Sequence, residues 1–180
     1  MPSAPIYFLK SPRLGFRTWS MEDVPLALRL WGNPDVTRTF GGPFTKAQIH
    51  ERLAREIANQ LAYELQYWPV FLLDKNEFAG CCGLRPYKQG KQIFELGFHF
   101  CPQYWGKGLA TESAQTVIAY AFGPLGLKGL FAGHHPENAA SAKVLAKLGF
   151  RYTHDELYPP TGQMHPSYFL APPQQPSPSF

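Results

Sequence analysis

The segment at residues 103–112, QYWGKGLATE, places two glycines directly before a stretch of helix-forming residues. At the N-terminus of a helix several backbone N–H groups have no intrahelical acceptor, and the helix dipole adds about half a positive charge. Gly106 and Gly108 lack the Cβ atom that would block a ligand, and they permit unusual φ values. The segment predicts a backbone site for phosphate or pyrophosphate, although a plain tight turn uses the same residues.

The spacing of these glycines differs from that of two common nucleotide-binding motifs. A P-loop, G-x-x-x-x-G-K-[ST], is absent because Leu109 follows Gly108. A Rossmann fingerprint, G-x-G-x-x-G, is absent because Thr111 stands where the third glycine is needed. A mononucleotide or dinucleotide site of either type is therefore disfavoured.

A second group of chemically capable residues lies just before this segment, in FELGFHF at residues 94–100. Strand alternation puts Glu95, Gly97 and His99 on one face, and Leu96, Phe98 and Phe100 on the other. A carboxylate in a central strand is costly to bury without a partner, so Glu95 is a candidate general base. His99 is a second candidate on the same face. The alternatives are a salt-bridged structural glutamate and a packed histidine.

Composition excludes several classes of protein. The chain has 180 residues, 44% of them hydrophobic, and a net charge of +4 without any dense basic run. We therefore expect one folded domain that binds no nucleic acid, whose charge suits a polyanionic ligand or an ordinary solvated surface. No stretch approaches the roughly 20 apolar residues that span a bilayer, and no leader is evident. The expected location is cytoplasmic, with no membrane partner.

The cysteines and histidines predict neither a disulfide framework nor a metal centre. Cys81 and Cys82 are adjacent, Cys101 has no partner at metal-binding spacing, and we expect all three thiols to be reduced. The pair His134 and His135 lacks a third ligand, so no metal site is assigned.

Local signals place the predicted elements between two proline-rich tails, residues 1–12 and 171–180, which leaves residues 13–170 as the domain. A first strand at 13–20 precedes a helix that has Asp23 as N-cap and ends near Gly32. The T-x-x-Q capping box at 45–48 opens an amphipathic helix over roughly 45–62. Three apolar runs joined by the turns KNE and KQGK then predict an antiparallel meander that ends with FELGFHF.

The second half of the chain alternates helices and strands. ATESAQTVIAYAF predicts a helix, LKGLFAGHH a strand, and NAASAKVLAKLGF a helix with Asn138 as N-cap and Gly149 as its stop. Two final strands flank a turn at residues 159–162. The order β-α-α-β-β-β-α-β-α-β-β predicts a single-domain α/β fold with a mixed, mostly antiparallel sheet, in which the fourth and fifth strands run parallel.

Gln103-x-x-Gly106-x-Gly108 resembles the Q/R-x-x-G-x-G/A signature of the Gcn5-related N-acetyltransferase (GNAT) superfamily, which binds acetyl-CoA through its pyrophosphate. PQYWGKGLATE and HPENAASAKVLAKLGF resemble segments of its RimJ/RimL-like ribosomal-protein branch, as do RLGFR and WGNPDVTR near the start. The resemblance covers roughly residues 13–170. It implies an acetyl-CoA-dependent N-acetyltransferase that acts on a primary amine by direct attack in a ternary complex.

The resemblance also implies which residues hold acetyl-CoA. The pantetheine arm pairs with the backbone of Phe98 and Phe100 where the two parallel strands splay apart, and the Phe100 amide donates to the thioester carbonyl. Asn138 bonds the pantetheine, unless it is only a helix cap. The remaining cofactor-binding residues surround the pyrophosphate: Gln103, Trp105, Gly106, Lys107, Gly108, Leu109 and Ala110.

The catalytic residues implied by the resemblance are Glu95 and Ser141. Glu95 stands in an E-[IL]-G-[YF] pattern in which relatives have a proposed base. Ser141 is the candidate acid for the departing thiolate, although it is also an ordinary first-turn residue. Residues 142–145 contain no tyrosine, which many relatives use as the acid, and the reference pKa of a thiol, about 8.5, reduces the need for one.

The acceptor amine stays open at this point. A ribosomal-protein N-terminus, a free amino acid, a polyamine and an antibiotic all agree with the sequence, and so does a homodimer. We expect the wall of the acceptor-binding site to be formed by the first two helices, residues 38–44 and the final pair of strands. The rival functions are a CoA-binding sensor or scaffold without turnover and, less favoured, a nucleotide-phosphate binder.

Overall fold

A computed structural model describes residues 7–88 and 92–173 of the chain. The described strands form one eight-stranded sheet in the order β1-β2-β3-β4-β5-β6-β8-β7. Neighbouring strands are antiparallel except β5 and β6, which confirms the predicted mixed sheet. The strands are β1 Leu9–Lys10, β2 Leu14–Phe16, β3 Tyr67–Leu72, β4 Glu77–Lys88, β5 Ile93–Phe100, β6 Gly129–Gly133, β7 Arg151–Tyr158 and β8 Gln163–Leu170.

The described helices begin and end where the sequence chemistry directs them. The side chains of Thr45 and Gln48 close the capping box that starts α3. Asp23 stands at the predicted N-cap position of α1, but its side chain makes no cap bond there and accepts instead from the Ser20 amide at 2.9 Å. Asn138 caps α5 by accepting a hydrogen bond from the Ser141 amide. The helices are α1 Val24–Trp31, α2 Pro34–Thr37, α3 Lys46–Tyr63, α4 Leu109–Phe122 and α5 Ala139–Lys147. None of these described helices is long and apolar enough to cross a membrane.

Two short elements were not expected. Strand β1 lies within residues 1–12, which the sequence predicted to be a tail, because the Phe8 amide donates to the Phe16 carbonyl and pairs this segment with β2. Helix α2 follows the predicted stop after α1, because the side chain of Asn33 caps a new helical turn by accepting from the Asp35 amide at 2.9 Å. A stop for one helix can thus begin the next.

Strand β2 is shorter than the predicted strand at residues 13–20. Trp19 leaves the strand direction to pack in the core, where its amide donates to Gln66 Oε1 and its indole to the Tyr67 carbonyl. Residues 89–91 of the predicted KQGK turn, and residues 174–180 of the predicted C-terminal tail, lie outside the described residues.

Helices cover both faces of the central strands. The adjacent residues Cys81 and Cys82 of β4 point to opposite faces and are both fully buried. Cys82 lies near Ser113 of α4, whereas the Cys81 sulfur lies 3.7 Å from His99 Nδ1 on the face covered by α1 and α3. A sheet buried on both faces can hold a functional side chain away from water.

The parallel strands β5 and β6 separate part-way along their length. Their pairing extends from Ile93 opposite Gly129 to Glu95 opposite Phe131 and goes no further. Strand β5 continues for five residues to Phe100, while β6 keeps its pairing with β8 on the other edge. A gap therefore opens between the two strands just beyond Glu95, as the resemblance predicted.

Candidate active site

The glycine turn between β5 and α4 has a backbone conformation that requires glycine. Gly106 has φ 72° and Gly108, the residue before α4, has φ 75°. A Cβ added at Gly106 would meet no atom within 4 Å, and one at Gly108 would meet only Arg13 Nη2 at 3.7 Å. The glycines therefore leave an open space above the turn instead of relieving a close contact.

The glycine turn leaves a run of backbone N–H groups without acceptors among the described residues. The Trp105 amide donates to the Pro102 carbonyl, and the Glu112 amide donates to the Gly108 carbonyl, both at 3.1 Å. For the amides of residues 106–111, no acceptor is found within the described ranges 7–88 and 92–173. The turn and the first turn of α4 thus present consecutive unsatisfied donors at the positive end of a helix dipole, which fits the pyrophosphate of acetyl-CoA.

Glu112 ties the start of α4 to the turn between β1 and β2. Its carboxylate accepts from Arg13 Nε and Ser11 Oγ, each at 2.6 Å, and from the Arg13 amide at 2.9 Å. Arg13 Nη1 also donates to the Lys107 carbonyl at 3.1 Å, which holds the glycine turn itself. Burial alone would raise the pKa of Glu112, but these hydrogen bonds hold it below its ordinary value. Neither Arg13 nor Glu112 was expected from the sequence to take part in the site.

The edge of β5 that faces the gap carries the backbone groups of Phe98 and Phe100. The Cys101 amide donates to the Ala79 carbonyl of β4 at 2.9 Å, so the residues that alternate with Cys101 direct their amides and carbonyls away from β4. The Phe100 carbonyl accepts a hydrogen bond from the Trp105 indole at 2.7 Å. The Trp105 side chain therefore fixes the end of β5 and leaves the Phe100 amide as the donor toward the gap.

The other residues assigned to the cofactor surround the turn in different ways. Gln103 lies in a single 3-10 turn, Pro102–Tyr104, that is held by a bond of 2.9 Å from Tyr104 to Glu77. Leu109 is buried in the core and offers only its backbone to a ligand. Lys107 is exposed and Ala110 is partly buried.

Helix α5 begins at the same edge of the sheet as α4. The two helices follow the C-terminal ends of the parallel strands β5 and β6, which meet at one edge, as in other α/β ligand crevices. Asn138 Oδ1 accepts from the Ser141 amide at 3.0 Å, which leaves the side-chain NH₂ of Asn138 for a ligand. The Ser141 hydroxyl is partly exposed and has no hydrogen-bond partner in the part of the chain that the structure describes.

Glu95 lies at the point where β5 and β6 part and is mostly buried. Arg85 stands opposite it on β4, and the phenol of Tyr67 lies directly over Gly97. A side chain at residue 97 would collide with that phenol, which explains the glycine in FELGFHF. Burial raises the pKa of Glu95 above its ordinary value, although Arg85 and Arg52 act in the opposite direction.

His99 is held as a neutral side chain that is poorly placed to act as a base. The Trp31 indole donates to His99 Nδ1 at 3.3 Å, so the Nδ1 lone pair is engaged and the ring proton resides on Nε2. The Phe40 ring stacks on the imidazole with centroids 4.3 Å apart. Burial, together with Arg52 and Arg85, holds the pKa of His99 well below its ordinary value. These contacts favour Glu95 over His99 as the base.

Comparison with known proteins identifies the family. The sequence profile of the acetyltransferase (GNAT) domain matches residues 13–151. An uncharacterized N-acetyltransferase, p20, from Bacillus licheniformis is 32% identical over 146 residues, which cover 79% of this chain and 82% of the relative. The chain belongs to the GNAT acetyltransferase family. It is therefore an acyltransferase.

Solved acetyltransferases share the fold at lower identity. RimL, a ribosomal-protein acetyltransferase solved with coenzyme A, aligns with TM-score 0.77 and 15% identity over 89% of this chain and 95% of that protein. A spermidine N-acetyltransferase from Vibrio cholerae, solved with coenzyme A and spermine, aligns with TM-score 0.75 and 16% identity over 90% and 97%. At these identities the likeness concerns the fold, which is the GNAT fold.

Helix α3 of the acetyltransferase contributes a buried carboxylate that the sequence analysis missed. Glu56 is fully buried, forms an ion pair with Arg85, and accepts from the Tyr67 amide at 2.8 Å. Arg85 also lies over the Tyr67 ring, 3.9 Å from its centroid. A signal was available, because Glu56 follows the buried residues Ile49 and Leu53 at helical spacing and so falls on the apolar side of α3.

Proposed function

We propose that this acetyltransferase transfers an acetyl group from acetyl-CoA to a primary amine by direct attack within a ternary complex. The observation that carries the proposal is the open glycine turn, whose unsatisfied amides lie beside the gap between β5 and β6. Glu95 stands where that gap begins. The proposal assigns the unsatisfied amides to the acetyl-CoA donor and Glu95 to the acceptor.

Acetyl-CoA would supply the activated acetyl thioester. The backbone of residues 105–110 holds its pyrophosphate, with Gln103 beside it, whereas Asn138 and the backbone of Phe98 and Phe100 hold the pantetheine arm. The Phe100 amide donates to the thioester carbonyl oxygen, where negative charge develops during attack. Trp105 supports this donor because its indole fixes the carbonyl of the same residue.

Glu95 acts as the general base on the acceptor. Its raised pKa brings the carboxylate closer to neutral pH, where a base is most effective. Glu95 takes a proton from the acceptor nitrogen, directly or through one water, as the C–N bond forms and the C–S bond of the thioester breaks. Ser141 is the proposed proton donor to the departing thiolate, whose ordinary pKa of about 8.5 also allows it to leave unprotonated.

The alternative is a CoA-binding sensor of the same fold without turnover. The combination of Glu95 at the point where β5 and β6 part with a free Ser141 hydroxyl favours the enzyme, because binding of CoA alone requires neither group. The acceptor of RimL, by its name, is a ribosomal protein, and the other structure contains spermine. Assignment to the ribosomal-protein branch and a cytoplasmic location are part of the proposal.

Two measurements test the proposal in order. Acetyl-CoA should raise the melting temperature by mass action, whereas ATP and NAD should leave it unchanged. Release of free CoA is then measured with a panel of peptides, amino acids and polyamines. Stabilisation by acetyl-CoA without release on any amine would support the sensor, and no stabilisation at all would remove the glycine turn from the site.

A further inference from the structure

Arg52 of α3 is a partly buried cation without an ion-pair partner among the described residues. Its guanidinium carbon lies between three aromatic rings, 4.8 Å from the centroid of Trp31, 5.3 Å from Phe44 and 5.5 Å from Phe40. Arg52 Nε is inaccessible to solvent and has no hydrogen-bond partner. No carboxylate of residues 7–88 or 92–173 forms a salt bridge with it.

The nearby carboxylate of Glu56 is already committed. One oxygen of Glu56 pairs with Arg85, and the other accepts from the Tyr67 amide at 2.8 Å. Arg85 therefore has its counter-charge from the protein, whereas Arg52 does not. The Nη atoms of Arg52 have no hydrogen-bond partner among the described residues, so the guanidinium is free to bind an anionic group of a ligand.

Arg52 lies near the face of β5 that carries the candidate base, where the acceptor amine would bind. Trp31, one of its ring neighbours, donates to His99, and Phe40, another, stacks on His99. His99 and Glu95 share one face of β5. Arg52 is also near enough to lower the pKa of both Glu95 and His99. The unpaired guanidinium thus lies over the face that carries the candidate base.

We propose that Arg52 binds a carboxylate of the acceptor, so that the substrates are small amines carrying a carboxylate, of the free amino acid type. This inference rests on the proposed function and narrows its acceptor class. A guanidinium matches a carboxylate with two parallel hydrogen bonds, and the aromatic rings around it suit the apolar part of such a molecule. Polyamines are disfavoured, because the unpaired charge of Arg52 repels a second ammonium group.

The test compares free L-amino acids with their amides, which keep the amine but neutralise the carboxylate. We expect wild-type kcat/KM to be at least about tenfold higher for the acids. The amine of the amide is less basic, so more of it is unprotonated at a given pH. Ionisation of the amine alone would therefore favour the amide, and a preference for the acid cannot come from this difference. Spermidine and a short unmodified peptide complete the panel. Equal rates for acid and amide, or a preference for spermidine, would overturn the inference.

Arg52→Met is the decisive variant, with Arg55→Met as its control on the exposed side of the same helix. Assayed at a pH above the acidic limb of kcat/KM, Arg52→Met should lower kcat/KM for the acids by about 10- to 100-fold, mainly through KM, and change the amides by less than about threefold. Arg55→Met should change neither. Arg52→Lys should recover part of the loss, and it replaces Arg52→Met if that variant does not fold. An equal loss on acids and amides would make Arg52 structural.

Binding separates this inference from the proposed function. If no amine is acetylated although acetyl-CoA binds, the proposed catalysis is wrong, and calorimetry with the amino acids on the CoA-saturated protein decides the inference. Binding to wild type that Arg52→Met loses would uphold the carboxylate site. Absence of binding to wild type would overturn it.

Discussion

Glu95 is the residue on which the proposed mechanism depends most directly. Glu95→Gln keeps the shape and polarity of the side chain but removes the proton acceptor. We expect kcat at pH 7 to fall by about 10²–10³-fold, while affinity for acetyl-CoA stays within a few-fold. Stopped assays of CoA release measure the first quantity and thermal shift the second. Glu51→Gln, exposed on α3, is the control, and an intact rate from pH 6 to 9 would make Glu95 structural.

The pH dependence of the reaction should report the raised pKa of Glu95. The base must be ionised, so kcat/KM rises with pH through this pKa, and its acidic limb should lie above the ordinary pKa of a glutamate. The charged and titratable groups near Glu95 come from four neighbouring elements and its own strand: Arg85, Tyr87, Arg52, Glu56, Tyr67, Glu156, Tyr158 and His99.

Arg52→Met tests whether the acidic limb belongs to Glu95, because the direction of the expected shift is known. Arg52 lowers the pKa of Glu95, so its removal should move the acidic limb of kcat/KM for an amide acceptor to higher pH. Arg55→Met should leave the limb in place. If the acidic limb stays at the same pH in Arg52→Met, or persists in Glu95→Gln, then it reports the ionisation of a group other than Glu95.

At the scale of elements, the glycine turn can be tested against a matched glycine elsewhere. Gly106 and Gly126 both have positive φ, 72° and 59°, and an added Cβ meets nothing within 4 Å at either position. Alanine costs both turns a similar backbone strain of about 1–2 kcal/mol. Only Gly106→Ala should weaken acetyl-CoA binding, by about tenfold or more, measured by calorimetry. Equal affinities in the two variants would show that the turn does not hold the pyrophosphate.

Sequence chemistry anticipated the elements whose signals are local. The capping box at Thr45 predicted the start of α3, and the N-cap at Asn138 predicted the start of α5. The short turn KNE predicted the connection between β3 and β4. Helix α2 was missed because Asn33-Pro34 ends one helix and caps another with the same residues. The alternation in β5 correctly assigned Glu95 and His99 to one face.

The contacts that the sequence did not disclose are those between distant residues. Tyr67 lies over Gly97 from two strands away, and Glu56 reaches Arg85 from a helix to a strand. Nothing in the spacing of residues along the chain links such pairs, because sheet order and helix packing bring them together. The unpaired state of Arg52 likewise becomes visible only when all neighbouring carboxylates are placed. The roles of Glu95, Ser141 and the cofactor residues stay predictions.

At the scale of the whole molecule, the ion pair of Glu56 with Arg85 fastens α3 to the central sheet. Glu56→Ala would leave Arg85 buried without its counter-charge and free the Tyr67 amide from its acceptor. We expect the free energy of unfolding to fall by about 3–5 kcal/mol in urea titrations. Glu51→Ala, exposed on the same helix, should change it by less than about 0.5 kcal/mol. Equal effects of the two variants would contradict a structural role for the pair.

The burial of Cys81 and Cys82 on opposite faces of one strand affects how the enzyme can be assayed. Burial raises the pKa of the Cys82 thiol to about 12 and raises the pKa of Cys81 and Cys101 as well. A thiolate is the reactive form, so a colorimetric thiol reagent should read released CoA with little background from the folded protein. The same reagent, added without substrate, measures the rate of unfolding, because Cys81 and Cys82 become accessible only when the sheet loses the helices that cover it.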